Sequence, residues 1–378
     1  MDAGAELVLV GGGHSHALVL AQLAKQALPA GRVMLISKDA MTPYSGMLPG
    51  VVAGHYTVKD AHIDLRSLCA KAGVQFIHDA VVALDVRSQT LVLAGGARVN
   101  YQVLSVNIGS TPDMSAPGAQ DHAVAVKPIS NFLARWEALV SRITESTTAV
   151  SIAVVGAGAG GTEMALAMRQ GLRLRLQSKP QRFAQLSFHL FAASEQILPE
   201  HTPGVRQVFA RLCQEQGITV HLNARVTRVK SHCIEVESGA THAIDEVLWV
   251  TSASAQDWVT QCGVATDDNG FLLVDRTLQS VSHPGIFASG DCAIISGHPR
   301  AKAGVFAVRQ GPPLDHNLRA KLAAEALIPH TPQADYLALI GTGARYAVVS
   351  KRGFWPLRGR WVWFWKDWID RRFMRQFR

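Results

Sequence analysis

Two glycine-rich turns, each directly after an apolar run, constrain this chain more than any other feature. They read LVLVGGGHSHA at residues 7–17 and IAVVGAGAGGTE at 152–163, so their first glycines, Gly11 and Gly156, lie 145 positions apart. A second pair of segments keeps nearly the same offset, GVQFIHDAVVALDVRSQTLVLAGG from Gly73 and GITVHLNARVTRVKSHCIEVESGA from Gly217. Short alternating runs between polar turns predict strands of a small meander in both. Each then enters an apolar strand and a small-residue turn, LSVNIGSTP (104–112) and LWVTSASA (248–255). The chain therefore states one plan twice: strand, glycine turn, helix, strand, meander, strand. Such alternation predicts an α/β fold with parallel sheets covered on both faces, and the repeat predicts two of them.

In GxGxxG the first glycine permits a tight strand-to-helix turn, the second lets backbone approach a pyrophosphate, and the third lets helix and strand pack closely. The helix N-terminus then meets phosphate with free N–H groups and partial positive charge. Gly156, Gly158 and Gly161 fit this pattern; Gly11, Gly12 and Gly13 fit its start, with His16 where the third glycine belongs. An acid expected after the next strand, for a ribose hydroxyl, is absent from both halves. Ser37 ends the first such strand, with Asp39 beyond it, and Ala192 or Ala193 occupies the second position, with Glu195 displaced. The second departure leaves NADH and NADPH both open. Arg169, Arg173, Arg175, Lys179 and Arg182 precede that strand as attractors of a 2′-phosphate or as a solvated basic helix end.

HPGIFASGDCA (283–293) is the most specific stretch: an apolar strand, Ile286–Ala288, delivers Gly290 and Asp291 to a turn among small residues. In flavoproteins with two dinucleotide domains this shape closes the FAD site, the aspartate accepting hydrogen bonds from the ribityl chain. Length agrees, since 378 residues exceed one ordinary core. The five cysteines, Cys69, Cys213, Cys233, Cys262 and Cys292, show no CxxC or metal-ligand spacing and fit a reducing compartment. The N-terminus lacks a secretion signal, and no apolar run is long enough to span a membrane.

Over essentially its whole length the chain resembles FAD-dependent pyridine nucleotide oxidoreductases related to type II NADH dehydrogenases. Within them it is similar to the subgroup found fused to, or encoded near, selenide, water dikinase. That likeness rests on GGGHSHALVL (11–20), TPYSGMLPGVVAGHY (42–56), HIDLRSL (62–68), LSVNIGSTP (104–112), RAKAGVFAVRQGPPLDHNL (300–318) and WKDWIDRRFM (365–374). The resemblance implies a glutathione-reductase-like fold of two Rossmann-like domains plus a small C-terminal region. FAD would occupy 1–122 and 266–328, NAD(P)H an inserted 123–265, and 329–378 would shape the acceptor side and touch the membrane. It implies that Gly11, Gly13 and His14 face the FAD pyrophosphate, with Gly12 in the same turn and Ser37 toward the ribose. Gly109 would close the adenosine side, and Gly290 and Asp291 would hold the ribityl chain. Gly156, Gly158 and Gly161 would cradle the nicotinamide cofactor. Glu163 would lie near the nicotinamide, its plain alternative being an acid in a helix's first turn. Lys302, where type II dehydrogenases carry glutamine, would stabilise reduced flavin or a quinol anion, or else is a surface cation.

Tyr44, Ser45, Gly46 and Met47 stand where a disulfide reductase of this build would carry its cysteine pair. Electrons are therefore expected to pass directly from flavin to a docked quinone or other small acceptor. The alternatives are a flavin-bound redox partner and a selenium-compound reductase.

Residues 351–378 carry nine Lys/Arg against two acids and five of the eight tryptophans, while the whole chain has a net charge of +8. A helix there would gather Trp361, Phe364, Trp365, Trp368 and Ile369 on one arc and Lys366, Asp367, Asp370 and Arg371 on the other. Basic residues beside tryptophans suit an anionic membrane surface, on the cytoplasmic side of the cell membrane. The rival is a helix burying its aromatics against the body or in a homodimer. No nucleic-acid-binding fold accompanies these cations.

Overall fold

The computed structural model describes residues 3–28, 31–145, 147–333 and 335–378. In chain order, strand β1 (Ala3–Val10) runs through the first glycine turn into helix α1 (His14–Leu23) and strand β2 (Val33–Ser37). Strand β3 (Gln75–His78), a hairpin (Val81–Asp85 and Thr90–Leu93) and strand β4 (Arg98–Val106) follow. The second unit comprises β5 (Val124–Ala125), β6 (Val150–Val155), α2 (Ala159–Arg175), β7 (Leu186–Phe191), β8 (Ile218–His221) and β9 (Glu246–Trp249). The chain then returns through β10 (Ile286–Ala288) and α3 (Gly304–Leu322) to two antiparallel strands, Ala338–Thr342 and Ala344–Ser350, and helix α4 (Arg360–Met374).

The first sheet has the parallel order β3-β2-β1-β4. Strand β4 is shared: its first half pairs antiparallel with Thr90–Leu93, and its last residues pair parallel with β10. Val10 lies opposite both Ile36 and Val106, and Val106 opposite Ala288, so these strands stop level. Their level carboxyl ends present the Gly11–Gly13, Ser37–Asp39, Asn107–Gly109 and Gly290–Asp291 turns along one edge, the place where open parallel sheets bind ligands. The second sheet repeats the device in the order β5-β9-β6-β7-β8, with Val155 opposite Phe191 and Trp249. Apolar content explains the burial: every residue of β2 (VMLIS) is buried, as a parallel strand covered on both faces requires.

The chain crosses between units at Thr111–Pro112 and Ala253–Ser254, which pair antiparallel with each other. Both strands of the crossing precede the expected limits of 122 and 265, and Val259, Cys262 and Val264 bury in the first core. Leu48, Val52 and Ala53 bury in the second core, where a Cβ at Gly171 of α2 would stand 2.2 Å from the Val52 carbonyl oxygen. That close approach locks the helix Leu48–Val52, at the end of the MTPYSGMLPG stretch, against α2.

The tail forms the expected helix, but half of its polar arc, Lys366 and Asp370, does not face solvent. Val362, Trp363, Phe373 and Met374 of α4 join the first core. Lys366 and Asp370 are turned inward, their side chains 13% and 6% exposed and 2.7 Å apart. The apolar arc faces out instead: Trp361 is 54% exposed, Phe364, Trp365 and Trp368 are similarly open, and Trp355 reaches 86%. The reading in which this arc packs against the body is therefore corrected. Among the tail's tryptophans, Trp363 takes that place, edge-on to His55 and beneath Arg345. Among the described residues no helix is long and apolar enough to cross a membrane.

Candidate active site

The first cavity, about 220 Å³, follows the level edge of the first sheet. Gly11 adopts φ +89°, and a Cβ there would lie 2.6 Å from the Asn107 carbonyl oxygen. Gly12 sits under Leu65, whose Cδ1 a Cβ would meet at 2.3 Å, and a Cβ on Gly13 would stand 2.1 Å from Asn107 Oδ1. Gly13 has no side chain to cap α1; Asn107 Oδ1 accepts the His16 N–H at 3.4 Å, and the N–H groups of His14 and Ser15 before it are left to a ligand. His16 explains how the turn works without a third glycine. Its Nδ1 lies 2.6 Å from the Gly11 oxygen and its Nε2 2.8 Å from Ser105 Oγ. Since the carbonyl only accepts, Nδ1 carries the proton, and burial lowers the imidazole pKa to about 4, keeping it neutral.

Among the other expected residues, Ser37 lines this cavity, though its hydroxyl donates to its own turn at the Asp39 oxygen, 2.8 Å away. Gly109 has φ +71°, and a Cβ there would meet nothing within 4 Å, so the space above it is open. Gly290 has φ +70° and donates its N–H to Gln310 Oε1 at 2.6 Å. His14 opens α1 and turns its ring edge-on toward Tyr44, at 5.3 Å, and Phe373, at 6.0 Å, with burial lowering its pKa. It lines the cavity, and its ring ties the first glycine turn to α4. Asn107 was not singled out from sequence. Its carbonyl receives Gly13 N–H at 3.0 Å, and its Nδ2 donates to the Ser289 oxygen at 2.6 Å, stitching the glycine turn to the Gly290–Asp291 turn.

The second cavity, about 1250 Å³, spreads from the second glycine turn to the tail. Gly156 (φ +109°) would place a Cβ 2.2 Å from the Val250 oxygen, and Gly161 would place one 1.8 Å from the Gly156 oxygen. Gly158 would meet no atom within 4 Å, and no side chain caps α2 there. Packed first and third glycines around an open second one leave the room that a pyrophosphate would need. Ala193 and Ser194 line this cleft and Glu195 does not; the first acid after β7 that does is Glu200. The five basic residues upstream do not. Arg169 stacks on Phe183, Arg175 pairs with Glu137, Lys179 donates to the Thr144 oxygen, and Arg182 donates to the Ile143 and Thr148 oxygens. Arg173 is likewise outside the lining.

The cavities share Ser45, Ser110, Thr111, Lys127, Ile129, Asp291 and Gly304. At this junction Asp291 Oδ2 lies 3.0 Å from Lys127 Nζ and 3.4 Å from Ser110 Oγ. Cys292 is buried, with Sγ 3.2 Å from the Ser289 oxygen and 3.5 Å from the Val106 oxygen. Lys302 lines only the second cleft. Its ammonium donates to the Ala293 oxygen at 2.8 Å and lies 3.6 Å from the centre of the Phe271 ring. Burial lowers its pKa.

Glu163 lies on the wall of the same cleft in company that the sequence did not reveal. Its Oε1 accepts Gly341 N–H at 2.7 Å, from the strand Ala338–Thr342. Burial raises its carboxyl pKa to about 7, against the opposing pull of Lys366 and the Gly341 N–H. Lys366 also donates to the Gly46 oxygen at 2.7 Å, and the Tyr44 hydroxyl is hydrogen-bonded to Asp370. Burial works against the charge on Lys366, but Asp370 and Glu163 outweigh it and hold the ammonium protonated. Burial raises the Tyr44 and Asp370 pKa values, the latter despite Lys366. Among the described residues no group of three His, Cys, Asp or Glu is arranged to hold a metal.

Two nucleotide cradles facing one charged junction define a two-dinucleotide oxidoreductase. The chain belongs to the pyridine nucleotide-disulphide oxidoreductase family, whose model matches residues 5–311. FAD and NAD(P)H are the cofactors of this family's fold, and the two open, uncapped turns fit them. The NADH dehydrogenase-like protein YutJ of Bacillus subtilis is 22% identical over 360 residues, covering 94% of each chain. Demethylphylloquinone reductase NdbB of Synechocystis is 24% identical, covering 91% of this chain and 86% of its own. The NDH2 of Plasmodium falciparum, solved with NADH, superposes with a TM-score of 0.82 at 15% identity, covering 99% of this chain and 97% of its own. The sulfide:quinone oxidoreductase of Aquifex aeolicus gives 0.79 at 17%, covering 100% and 92%. The protein is thus an NAD(P)H-dependent flavin oxidoreductase related to quinone reductases.

Proposed function

We propose that the protein oxidises NAD(P)H and hands the electrons from FAD directly to a quinone-type acceptor, with no redox disulfide between. Bound FAD supplies hydride acceptance and electron transfer; the chain supplies binding, placement and protons. Gly11–Gly13, His14, Ser37, Gly109, Gly290 and Asp291 would hold the flavin cofactor along the first edge. Gly156, Gly158 and Gly161 would seat the nicotinamide cofactor. Lys302 would set positive charge on the acceptor wall.

One observation carries the choice of acceptor: the buried Glu163–Lys366–Asp370–Tyr44 group on the wall of the second cleft. A quinone takes up two protons with two electrons, and a carboxyl titrating near neutral pH can donate one and be reprotonated from solvent to donate the next, with the phenol and ammonium beside it holding it in place. A disulfide acceptor would need a thiol pair, whereas Tyr44, Ser45 and Gly46 line the cleft. The NdbB relative reduces a quinone by name, which supports the same reading.

The outward aromatic ridge of α4, flanked by exposed Lys351, Arg352, Arg358, Arg360, Arg372 and Arg375, would rest on the anionic inner leaflet of the cell membrane. Each such cation near the surface adds about 1 kcal/mol. A Trp365→Ser/Trp368→Ser variant should lose sedimentation with anionic vesicles yet keep its flavin. Unchanged sedimentation, or loss of a dimer instead, would turn the ridge into a protein interface.

The function is tested by rapid mixing of the reduced protein with acceptors. Short-chain quinones should reoxidise it at least tenfold faster than a disulfide or selenite. Preference for selenite would favour the selenium-linked alternative, which draws its support from the sequence resemblance alone. Slow bleaching by both nucleotides would favour a flavin-bound redox partner.

A further inference from the structure

Asp291 presents a carboxylate where the two cavities meet. Left alone, it would oppose the reaction, because electrons arriving on a flavin there add negative charge beside it. The counter-charge comes from outside both glycine turns. Lys127, two residues beyond β5, places its ammonium 3.0 Å from Asp291 Oδ2 and 3.4 Å from Ser110 Oγ. Its side chain is 34% exposed and lines both cavities. An ammonium has three donors. Asp291 and Ser110 engage two, leaving one without a protein partner among the described residues.

Lys302 does not share this position. Its ammonium is directed to the Ala293 oxygen and the Phe271 ring, and it does not border the first cavity. We infer that Lys127 is the cation that offsets Asp291 and stabilises the negative charge of the reduced flavin, a role that Lys302 would hold on sequence grounds. The inference rests on the reading above that FAD lies along the first edge and is held by Asp291, at the junction. Lys127 acts here on the electronics of the cofactor and takes no proton or electron itself.

The test compares the midpoint potential and sulfite affinity of the flavin in the wild type, Lys127→Met, Lys127→Arg and Lys302→Met. Both readouts report negative charge gathering on the flavin ring, and chemical reduction serves for the titration. In Lys127→Met the reduced form should lose about tenfold in relative stability, a midpoint lower by about 30 mV for a two-electron couple, with sulfite bound correspondingly less tightly. Lys127→Arg and Lys302→Met should each stay within about threefold of the wild type. An unchanged midpoint in Lys127→Met, or the shift appearing in Lys302→Met instead, overturns the inference. If Lys127→Met fails to retain FAD, Lys127→Arg decides: flavin held at near wild-type potential supports the inference, and flavin lost or shifted overturns it. Because dithionite replaces the nucleotide, failure of NAD(P)H to bleach the wild type would sink the proposed function and leave this result readable.

Discussion

The two glycine turns execute one plan, yet the chain fills them differently. In the first, His16 and Asn107 occupy the space behind the turn with hydrogen bonds, and the cavity is small. In the second, glycine packs on glycine, and the cleft before it is several times larger and runs out to the tail. A turn braced by its own side chains suits a resident cofactor, whereas an open cleft suits a ligand that enters and leaves each cycle. The same motif can thus serve residence or exchange, depending on what the neighbouring strands contribute.

Breaking each turn separately gives the largest expected effect. Gly11→Ala forces a Cβ onto the Asn107 oxygen at positive φ and should yield protein with at least tenfold less FAD. Gly161→Ala drives a Cβ into the Gly156 oxygen and should keep the yellow colour while slowing bleaching by NAD(P)H more than about a hundredfold. Absorption spectra and rapid mixing check both, and the comparison fails if the two variants behave alike.

Next in size is the charge pair that seals the open cleft. Lys366→Met leaves Asp370 buried without its partner and should cost about 3–5 kcal/mol in urea unfolding, whereas Lys366→Met/Asp370→Leu should recover most of that loss. A single variant as stable as the wild type would show that the pair is hydrated.

Glu163→Gln should slow reoxidation by quinone roughly tenfold and remove an inflection near pH 7, above which the wild type loses its proton donor. The sign for stability is fixed by the same group. Its pKa is raised by folding to about 7, so the folded chain keeps a proton that the unfolded chain releases in the ordinary carboxylate range. Stability from this source is complete below that range and is lost as pH rises to about 7 and beyond; in Glu163→Gln that slope should vanish. A pH profile identical in the two proteins would remove Glu163 from the chemistry.

The smallest effect is expected at the bracing of the first turn. His16→Gly restores the missing glycine but deletes two buried hydrogen bonds, and should cost about 1–2 kcal/mol while FAD stays bound. Loss of FAD would show that His16 is part of the cradle itself.

The glycine turns and the Gly290–Asp291 turn were legible in the sequence because their demands are local: a positive φ, a close approach, a strand ending on small residues. The parallel sheets were legible for the same reason, through apolar runs set at a repeated distance. What escaped was non-local. Lys127 meets Asp291 across 164 positions, and Gly341 reaches Glu163 across 178. Nothing in HAVAVKPIS or ALIGT announces either partner. The tail shows a subtler limit. Its two arcs were plain from residue spacing, but amphipathicity alone does not say which arc faces the protein. Lys366 and Asp370 can go inside because each neutralises the other and Gly46 accepts a remaining donor. Trp361 and its neighbours are thereby turned outward.

The central claim is that electrons move from nucleotide to flavin to acceptor with no dithiol in between. Anaerobic titration of the purified yellow protein with NADH or NADPH tests it directly. The account predicts complete bleaching after a single equivalent of nucleotide per flavin, and full return of colour on adding one equivalent of quinone. Uptake of a second equivalent before completion, or no bleaching by either nucleotide, would contradict it.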